Sequence, residues 1–209
     1  MKKKRKSIFR MIVGLFVFTI LATILFLFGR TYQSIKRVEN YQPEISSALE
    51  KYQMQEHENL VKAIIFTESR GNGVDLMQSS ESAYGQMGAI TTQEGSIDQG
   101  VKYLSEMIAE AKALGCDLAT AIQAYNFGKD YIAYVNERGG KNTVRLAEEY
   151  SRDVLSPLLG NDNKKTYRYW RIQSLLYNGG YLYHNGGNMF YADVVKMNQQ
   201  FLEWYENIF

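Results

Sequence analysis

The sequence predicts a mainly α fold behind a single N-terminal membrane helix. The chain has only two prolines in 209 residues and no strict two-residue alternation, which argues against a sheet-based domain. Residues 96–115 carry apolar side chains at three- and four-residue spacing, which is typical of an amphipathic helix. Residues 11–28 carry no charge at all. Beyond this apolar segment, enough chain remains for one domain of ordinary size.

The apolar segment 11–28 (MIVGLFVFTILATILFLF) is long enough, as a helix, nearly to span the hydrocarbon core of a bilayer. The basic leader before it should stay in the cytoplasm, which places the rest of this single-pass protein outside the cell membrane. A cleaved signal peptide is the alternative, but its apolar region usually has about 7–15 residues. We therefore expect a basic cytoplasmic tail at 1–10, a signal anchor at 11–29, a polar stalk at 30–42 and an extracellular domain at 43–209.

Charge and composition exclude several classes of function. Seven of the 24 Lys and Arg lie at or before Arg30. The chain beyond Arg30 carries the other 17 together with all 22 Asp and Glu, which gives it a net charge of −5. An acidic domain without a basic stripe is a poor nucleic-acid binder. With one cysteine, Cys116, and two isolated histidines, His57 and His184, neither an internal disulfide nor a metal site is expected. The sequence has no Walker loop or dinucleotide fingerprint, so no organic cofactor is expected either. Carboxylates remain, and general acid catalysis on a glycosidic bond requires little else.

Further helices are predicted from caps and periodicity. A helix should begin near Pro43, and another at Ser96 as N-cap, ending at Gly115. Asp117 is expected to cap a helix that runs through Phe127. The segment 178–188 (NGGYLYHNGGN) is a hairpin or an irregular loop, and either a plain connection or part of a groove. The remaining helical candidates are 129–138, 143–156, 165–177 and 191–206.

Glu68 is the candidate catalytic acid. It follows Ile64, Ile65 and Phe66 in the last turn of a predicted helix that is stopped at residues 70–73 (RGNG). Partial burial there would raise the pKa of its carboxyl and keep a proton available near neutral pH. The alternative is an ordinary exposed glutamate at a helix end.

Three motifs follow one another in a fixed order. Residues 68–71 (ESRG) with 75–82 (DLMQSSES) come first, then 96–104 (SIDQGVKYL), then 121–128 (AIQAYNFG), and Tyr191 opens the last helix with Val194 and Val195 behind it. This set resembles the soluble lytic transglycosylase and goose-type lysozyme group, a lysozyme-like family related to glycoside hydrolase family 23. It is most similar to the CwlT-like lysozyme domains and the membrane-anchored pneumococcal vaccine antigen A proteins.

The resemblance implies a lysozyme-like fold whose groove binds alternating N-acetylglucosamine and N-acetylmuramic acid of peptidoglycan. It implies cleavage of the β-1,4 bond between muramic acid and glucosamine, with Glu68 as general acid and base. Amides suit acetamido groups, and tyrosines offer a flat face with a polar tip. The substrate-binding candidates are Gln78, Ser80, Tyr125, Asn126 and Tyr191.

Asp75 is a departure from the transglycosylase pattern, which often has glycine before Leu-Met-Gln. As a second carboxylate, Asp75 or Glu81 could activate a water, and the enzyme would be a muramidase. With Glu68 alone, the sugar would close on itself, as in a lytic transglycosylase. Asp75 could equally be a loop carboxylate that accepts local N–H groups. The sequence leaves these interpretations open.

Two other classes of function are alternatives to the enzyme. The first is an inactive, membrane-tethered scaffold that binds peptidoglycan at wall-synthesis sites, with cell-wall synthesis or division proteins as partners. An intact Glu68 argues against it, because a binder needs no acid there. The second is an outer domain that senses a small molecule, which the short cytoplasmic tail makes less suitable for signalling inward.

Overall fold

The computed structural model describes residues 2–80 and 89–208, and its first element is one long helix. Helix α1 spans Lys2–Glu39 without interruption. An apolar window in it reaches a mean hydropathy of 2.8, and none of that window is buried against the rest of the protein. Length and composition therefore make α1 a candidate membrane-spanning helix.

The structure revises the expected stalk at 30–42, because α1 continues through it to Glu39. Ser34, Ile35 and Val38 are buried against the following domain. Val38 lies three positions after Ile35 and four after Ser34, so the three residues share one helix face. The globular unit thus begins near residue 34 rather than at residue 43.

The rest of the described chain is mainly helical, which confirms the predicted fold class. Two short strands form an antiparallel ladder in which Tyr167 lies opposite Leu182. The helices are α2 (Gln42–Lys51), a 3₁₀ turn (Gln55–His57), α3 (Glu58–Glu68), α4 (Gln93–Ala113), α5 (Leu118–Phe127), α6 (Asp130–Asn136), α7 (Val144–Tyr150), a π-helical turn (Ser151–Leu155), α8 (Ser156–Leu158), α9 (Ile172–Asn178) and α10 (Tyr191–Glu206), and the strands are β1 (Thr166–Arg168) and β2 (Tyr181–Tyr183).

Local signals predicted some boundaries and missed others. Asp117 caps α5 as expected, since its Oδ1 accepts the Thr120 N–H at 2.9 Å. The predicted N-cap Ser96 is wrong, because α4 begins at Gln93 and Thr92 accepts the Gly95 N–H at 3.1 Å. The predicted helix 165–177 is also wrong at its start. Residues 166–168 (TYR), which include the strand-favouring Thr166 and Tyr167, form β1 instead, and only α9 is helical.

Helix α3 is buried continuously from Leu60 to Phe66, and six of these seven residues are apolar. Its one buried cation, Lys62, pairs with Glu58 at 2.9 Å and with Glu206 of α10 at 3.3 Å. The buried apolar residues form two clusters. The first surrounds α3 and includes Ile35, Ile64, Met77 and Tyr191, and the second includes Phe127, Tyr131, Tyr150 and Phe190.

Candidate active site

A groove of about 780 Å³ is lined by residues of both apolar clusters. Six of the seven predicted site residues line it, and the seventh, Tyr191, is buried beside them. The lining consists of Glu68, Asp75, Gln78, Ser79, Ser80, Tyr103, Tyr125, Asn126, Phe127, Gly128, Leu155, Leu159, Asn185 and Gly187. Residues from five separate parts of the sequence therefore meet at one site.

Glu68 is the last residue of α3 and reaches the groove because the helix stops there. Arg70 and Gly71 both have positive φ, 56° and 71°, which turns the chain away from the helix axis. Gly71 also lies against α1, where an added Cβ would be 2.9 Å from the Arg37 Cβ and 3.1 Å from the Val38 N. The turn that exposes Glu68 thus depends on a glycine at residue 71.

The Glu68 carboxyl is half-buried, and burial is the main cause that raises its pKa. The negative charge of Asp75 raises the pKa further, while the nearby Tyr191 hydroxyl opposes both effects, because its O–H dipole favours the carboxylate. A carboxyl with a raised pKa keeps its proton at higher pH, which is what a general acid requires.

Tyr191 and Tyr125 lie side by side, with ring centroids 6.2 Å apart and planes 9° from parallel. Their hydroxyl groups have different roles. The Tyr125 hydroxyl donates to the Met77 carbonyl at 2.9 Å, so it holds the loop after α3. The buried Tyr191 hydroxyl makes no hydrogen bond of ordinary geometry to the described residues, and its effect is to lower the pKa of the nearby Glu68 carboxyl.

Asp75 accepts four hydrogen bonds. Its Oδ1 accepts from the Ser79 N–H at 2.9 Å and the Ser96 hydroxyl at 2.7 Å, and its Oδ2 accepts from the Ser80 N–H at 3.1 Å and the Ser80 hydroxyl at 2.6 Å. Burial would raise the pKa of Asp75, but these hydrogen bonds together lower it. A carboxylate offers about four lone-pair positions, so Asp75 has none left over for a water. Its contacts are those of a loop carboxylate.

Two serines beside Asp75 hold the loop. The Ser80 hydroxyl donates to Asp75 and also accepts from the Ile90 N–H at 3.2 Å, so the geometry favours positioning over the sugar contact predicted for it. Ser96 was missed as a site residue because the sequence suggested an N-cap. It instead joins Asp75 to the Met77 N–H, which donates to the Ser96 hydroxyl at 3.0 Å. Glu81 lies outside the described residues.

Gln78 and Asn126 line the groove with exposed amides that are only partly engaged. The Gln78 Nε2 donates to the Asp75 carbonyl at 2.9 Å, and the Asn126 Oδ1 accepts from the Asn188 N–H at 2.7 Å. The other atom of each amide makes no hydrogen bond to the described part of the chain. Each therefore keeps one polar atom available to a ligand.

The opposite side of the groove was only partly predicted. Leu155 and Leu159 line it, although nothing in their local sequence marks them. Asn185 and Gly187 come from the 178–188 segment, which therefore lines the groove in addition to carrying β2. Gly187 has φ of 62°, and a Cβ there would lie 2.8 Å from the Phe127 ring and 2.9 Å from the Asn126 Oδ1. A glycine is required where this loop meets α5.

A family model described as lysozyme-like matches residues 35–199. The chain belongs to the lysozyme-like family. The matched residues begin at the buried end of α1, in agreement with the boundary observed in the fold. The family resemblance predicted from the ordered motifs is confirmed.

Three similar proteins extend this assignment. A pneumococcal vaccine antigen A homolog of Streptococcus pyogenes is 44% identical over 82% of this chain and 86% of its own. The bifunctional muramidase/DL-endopeptidase CwlT of Bacillus subtilis is 39% identical over 53% of this chain and 35% of its own. A solved lipoprotein of the NLP/P60 family from Staphylococcus aureus is 33% identical with a TM-score of 0.71, over 78% of this chain and 52% of that one. The lysozyme-like domain and its muramidase relative support a peptidoglycan-related role.

Proposed function

We propose that the protein is a membrane-anchored peptidoglycan hydrolase of the cell surface that acts in wall remodelling. It cleaves the β-1,4 bond between N-acetylmuramic acid and N-acetylglucosamine, and Glu68 is its general acid and base. One observation carries the proposal: a half-buried carboxyl with a raised pKa lines a groove large enough for a ligand. The N-terminal helix anchors it, with the N-terminus in the cytoplasm.

In the proposed reaction, Glu68 first donates its proton to the glucosamine oxygen as the bond to the muramic acid breaks. The resulting carboxylate then accepts a proton from the nucleophile that attacks the muramic acid, which restores the acid. The available amide atoms of Gln78 and Asn126 suit the acetamido groups of the two sugars. The engaged carboxylate of Asp75 favours a loop-holding role over water activation.

Mass spectrometry of muropeptides tests the proposal directly. The full chain in detergent is incubated with purified peptidoglycan, and the ends of the released glycans are identified. We expect glycans that end in muramic acid. A 1,6-anhydro end indicates a lytic transglycosylase, in which the sugar closes on itself, and a reducing end indicates a muramidase. Glycans that end in glucosamine, or an absence of cleavage, would contradict the proposal.

Replacing Tyr191 by phenylalanine should move the alkaline limb of the activity profile to higher pH. A general acid works only while protonated, so activity falls as pH rises through the pKa of Glu68, which lies above 4.5. The Tyr191 hydroxyl lowers that pKa, so its removal raises the pKa further. Initial rates of glycan release between pH 4 and 9 provide the measurement.

Tyr125→Phe is the matched control, because its hydroxyl donates to Met77 and is not among the groups that shift the pKa of Glu68. This variant should lose about 1 kcal/mol of unfolding free energy, because one hydrogen bond is removed. The alkaline limb of its activity profile should stay at the pH of the parent chain. An unchanged limb in Tyr191→Phe, or an equal displacement in both variants, would refute the role assigned to Tyr191.

A further inference from the structure

Helix α9 exposes large apolar side chains. Trp170 just before it is 70% exposed, and Ile172 and Leu176 within it are 54% and 80% exposed. Single exposed apolar residues need no explanation, but three within seven positions form a patch of the kind that binds a partner. We call Trp170, Ile172, Leu176 and the adjacent Arg171 the α9 face.

Arginines surround this face. The charges of Arg171, Arg30 and Arg37 all act on Arg70, so each of these three arginines lies within electrostatic range of Arg70. Arg37 also donates from Nε to the Arg70 carbonyl at 3.3 Å. None of the four forms a salt bridge with a carboxylate of the described residues. An uncompensated guanidinium cluster attracts anions and binds phosphate well, because its N–H groups form a planar fork.

The position of this cluster along α1 indicates what covers it. Arg30 follows Phe28, the last residue of the apolar segment 11–28, by only two positions, or about 3 Å of helix. If this segment fills the hydrocarbon core, Arg30 lies at the level of the lipid headgroups. Arg70 interacts with both Arg30 and Arg171, which places the N-terminal side of α9 near the same level.

Aromatic residues meet α1 on its other side. The ring of Tyr32 contacts that of Tyr205 edge-on at 6.0 Å between centroids, and Trp204 beside it is half exposed. Tyr32 lies two positions, about 200° of helix rotation, from Arg30. Tyrosine and tryptophan are enriched where proteins meet the membrane–water interface. The domain therefore contacts both flanks of α1 just above the candidate span.

We propose that the α9 face rests on the anionic lipid surface of the membrane that α1 spans. Trp170, Ile172 and Leu176 enter the interfacial layer, and Arg30, Arg70 and Arg171 contact lipid phosphates. Apolar residues flanked by arginines are the composition of helices that lie in this layer. The proposal rests on the anchoring part of the proposed function and is independent of the catalytic part.

Tryptophan quenching by brominated lipid tests the proposal on the full chain in vesicles. The chain has two tryptophans, so Trp204→Phe leaves Trp170 as the only reporter. In vesicles of brominated phosphatidylglycerol, Trp170 should lose most of its emission. In unbrominated vesicles of the same lipid, its emission should shift to shorter wavelength and resist acrylamide.

Leu114 provides a matched control position. It is partly exposed at the end of α4, whose first residue, Gln93, donates to the Tyr41 hydroxyl at 2.8 Å near the end of α1. The two ends of α4 are about 30 Å apart. In the triple variant Trp170→Phe, Trp204→Phe and Leu114→Trp, the new tryptophan should keep its emission in brominated lipid.

Further measurements distinguish lipid phosphate from other binding partners of the α9 face. Quenching of Trp170 should decrease in brominated phosphatidylcholine and in the Arg171→Glu variant, whereas added inorganic phosphate should leave it unchanged. If the chain floats with vesicles but Trp170 stays unquenched and accessible to acrylamide, the α9 face faces water, glycan or a protein, and the proposal is wrong. If the chain does not float with vesicles, the anchoring itself is wrong, whatever the glycan-cleavage assay reports.

Discussion

Replacing Glu68 by glutamine is expected to reduce glycan cleavage by about 10²- to 10⁴-fold, the usual contribution of a general acid. Glutamine keeps the shape of the side chain and its hydrogen-bonding capacity, but it has no proton to give to the leaving oxygen. The measurement is the initial rate of muropeptide release from purified peptidoglycan. Glu110→Gln, at an exposed position of α4, is the matched control and should leave the rate unchanged.

The stability of Glu68→Gln should show that the loss of activity is not a loss of fold. The folded-state pKa of Glu68 is raised, so its contribution to stability is complete below pH 4.5 and is lost as pH rises through the folded pKa. Glutamine has no such loss, and the variant should become more stable than the parent chain as pH increases. Full activity in Glu68→Gln would exclude the catalytic assignment, and binding to peptidoglycan without cleavage by the parent chain would favour the scaffold.

Replacing Asp75 by asparagine should destabilise the domain by about 2 kcal/mol and reduce activity with it. Asparagine retains one acceptor oxygen, but its NH₂ group would face the donors that now meet the other oxygen, including the Ser80 N–H. Hydrogen bonds to a charged group would also be replaced by weaker neutral ones. Chemical unfolding at pH 7 measures the loss, and glycan release measures the activity.

The loss of stability caused by Asp75→Asn should be smaller at low pH than at neutral pH. The folded-state pKa of Asp75 is lowered, so its stabilisation is present above pH 3.8 and disappears as pH falls through the folded pKa. The difference between parent and variant should therefore shrink in acid. Asp98→Asn, which breaks an exposed pair with Lys51, is the control and should cost less than about 1 kcal/mol. Asp75→Asn with unchanged stability and no turnover would instead make Asp75 a catalytic base.

Elements defined by short-range signals could be predicted from the sequence. Helix α5 starts at the cap Asp117, and α10 runs over the range expected from its periodicity. The stalk could not be predicted, because the burial of Ile35 and Val38 depends on packing against a domain that follows much later in the chain. The role of Ser96 was missed for the same reason, since its partner Asp75 lies 21 residues away.

The candidate site also contains some residues that the sequence predicts and others that only the fold brings there. Glu68, Gln78 and Asn126 belong to recognisable motifs, and all three line the groove. The raised pKa of Glu68 could be expected from its apolar neighbours, but the opposing effect of Tyr191 required the packing of α10 beside α3. Leu155 and Leu159 line the groove although no sequence motif marks them, because their position there depends only on where the chain folds back.

If α1 spans the membrane as proposed, its unbroken passage into the domain fixes how far the groove lies from the lipid. Phe28 and Arg37 are nine positions apart, about 14 Å along one helix, and Arg37 contacts the turn that follows Glu68. A flexible linker would let the domain search a deep layer of the wall. Under the proposed function, a continuous helix acts instead as a spacer of set length, so the glycan strands within reach of Glu68 are those nearest the lipid.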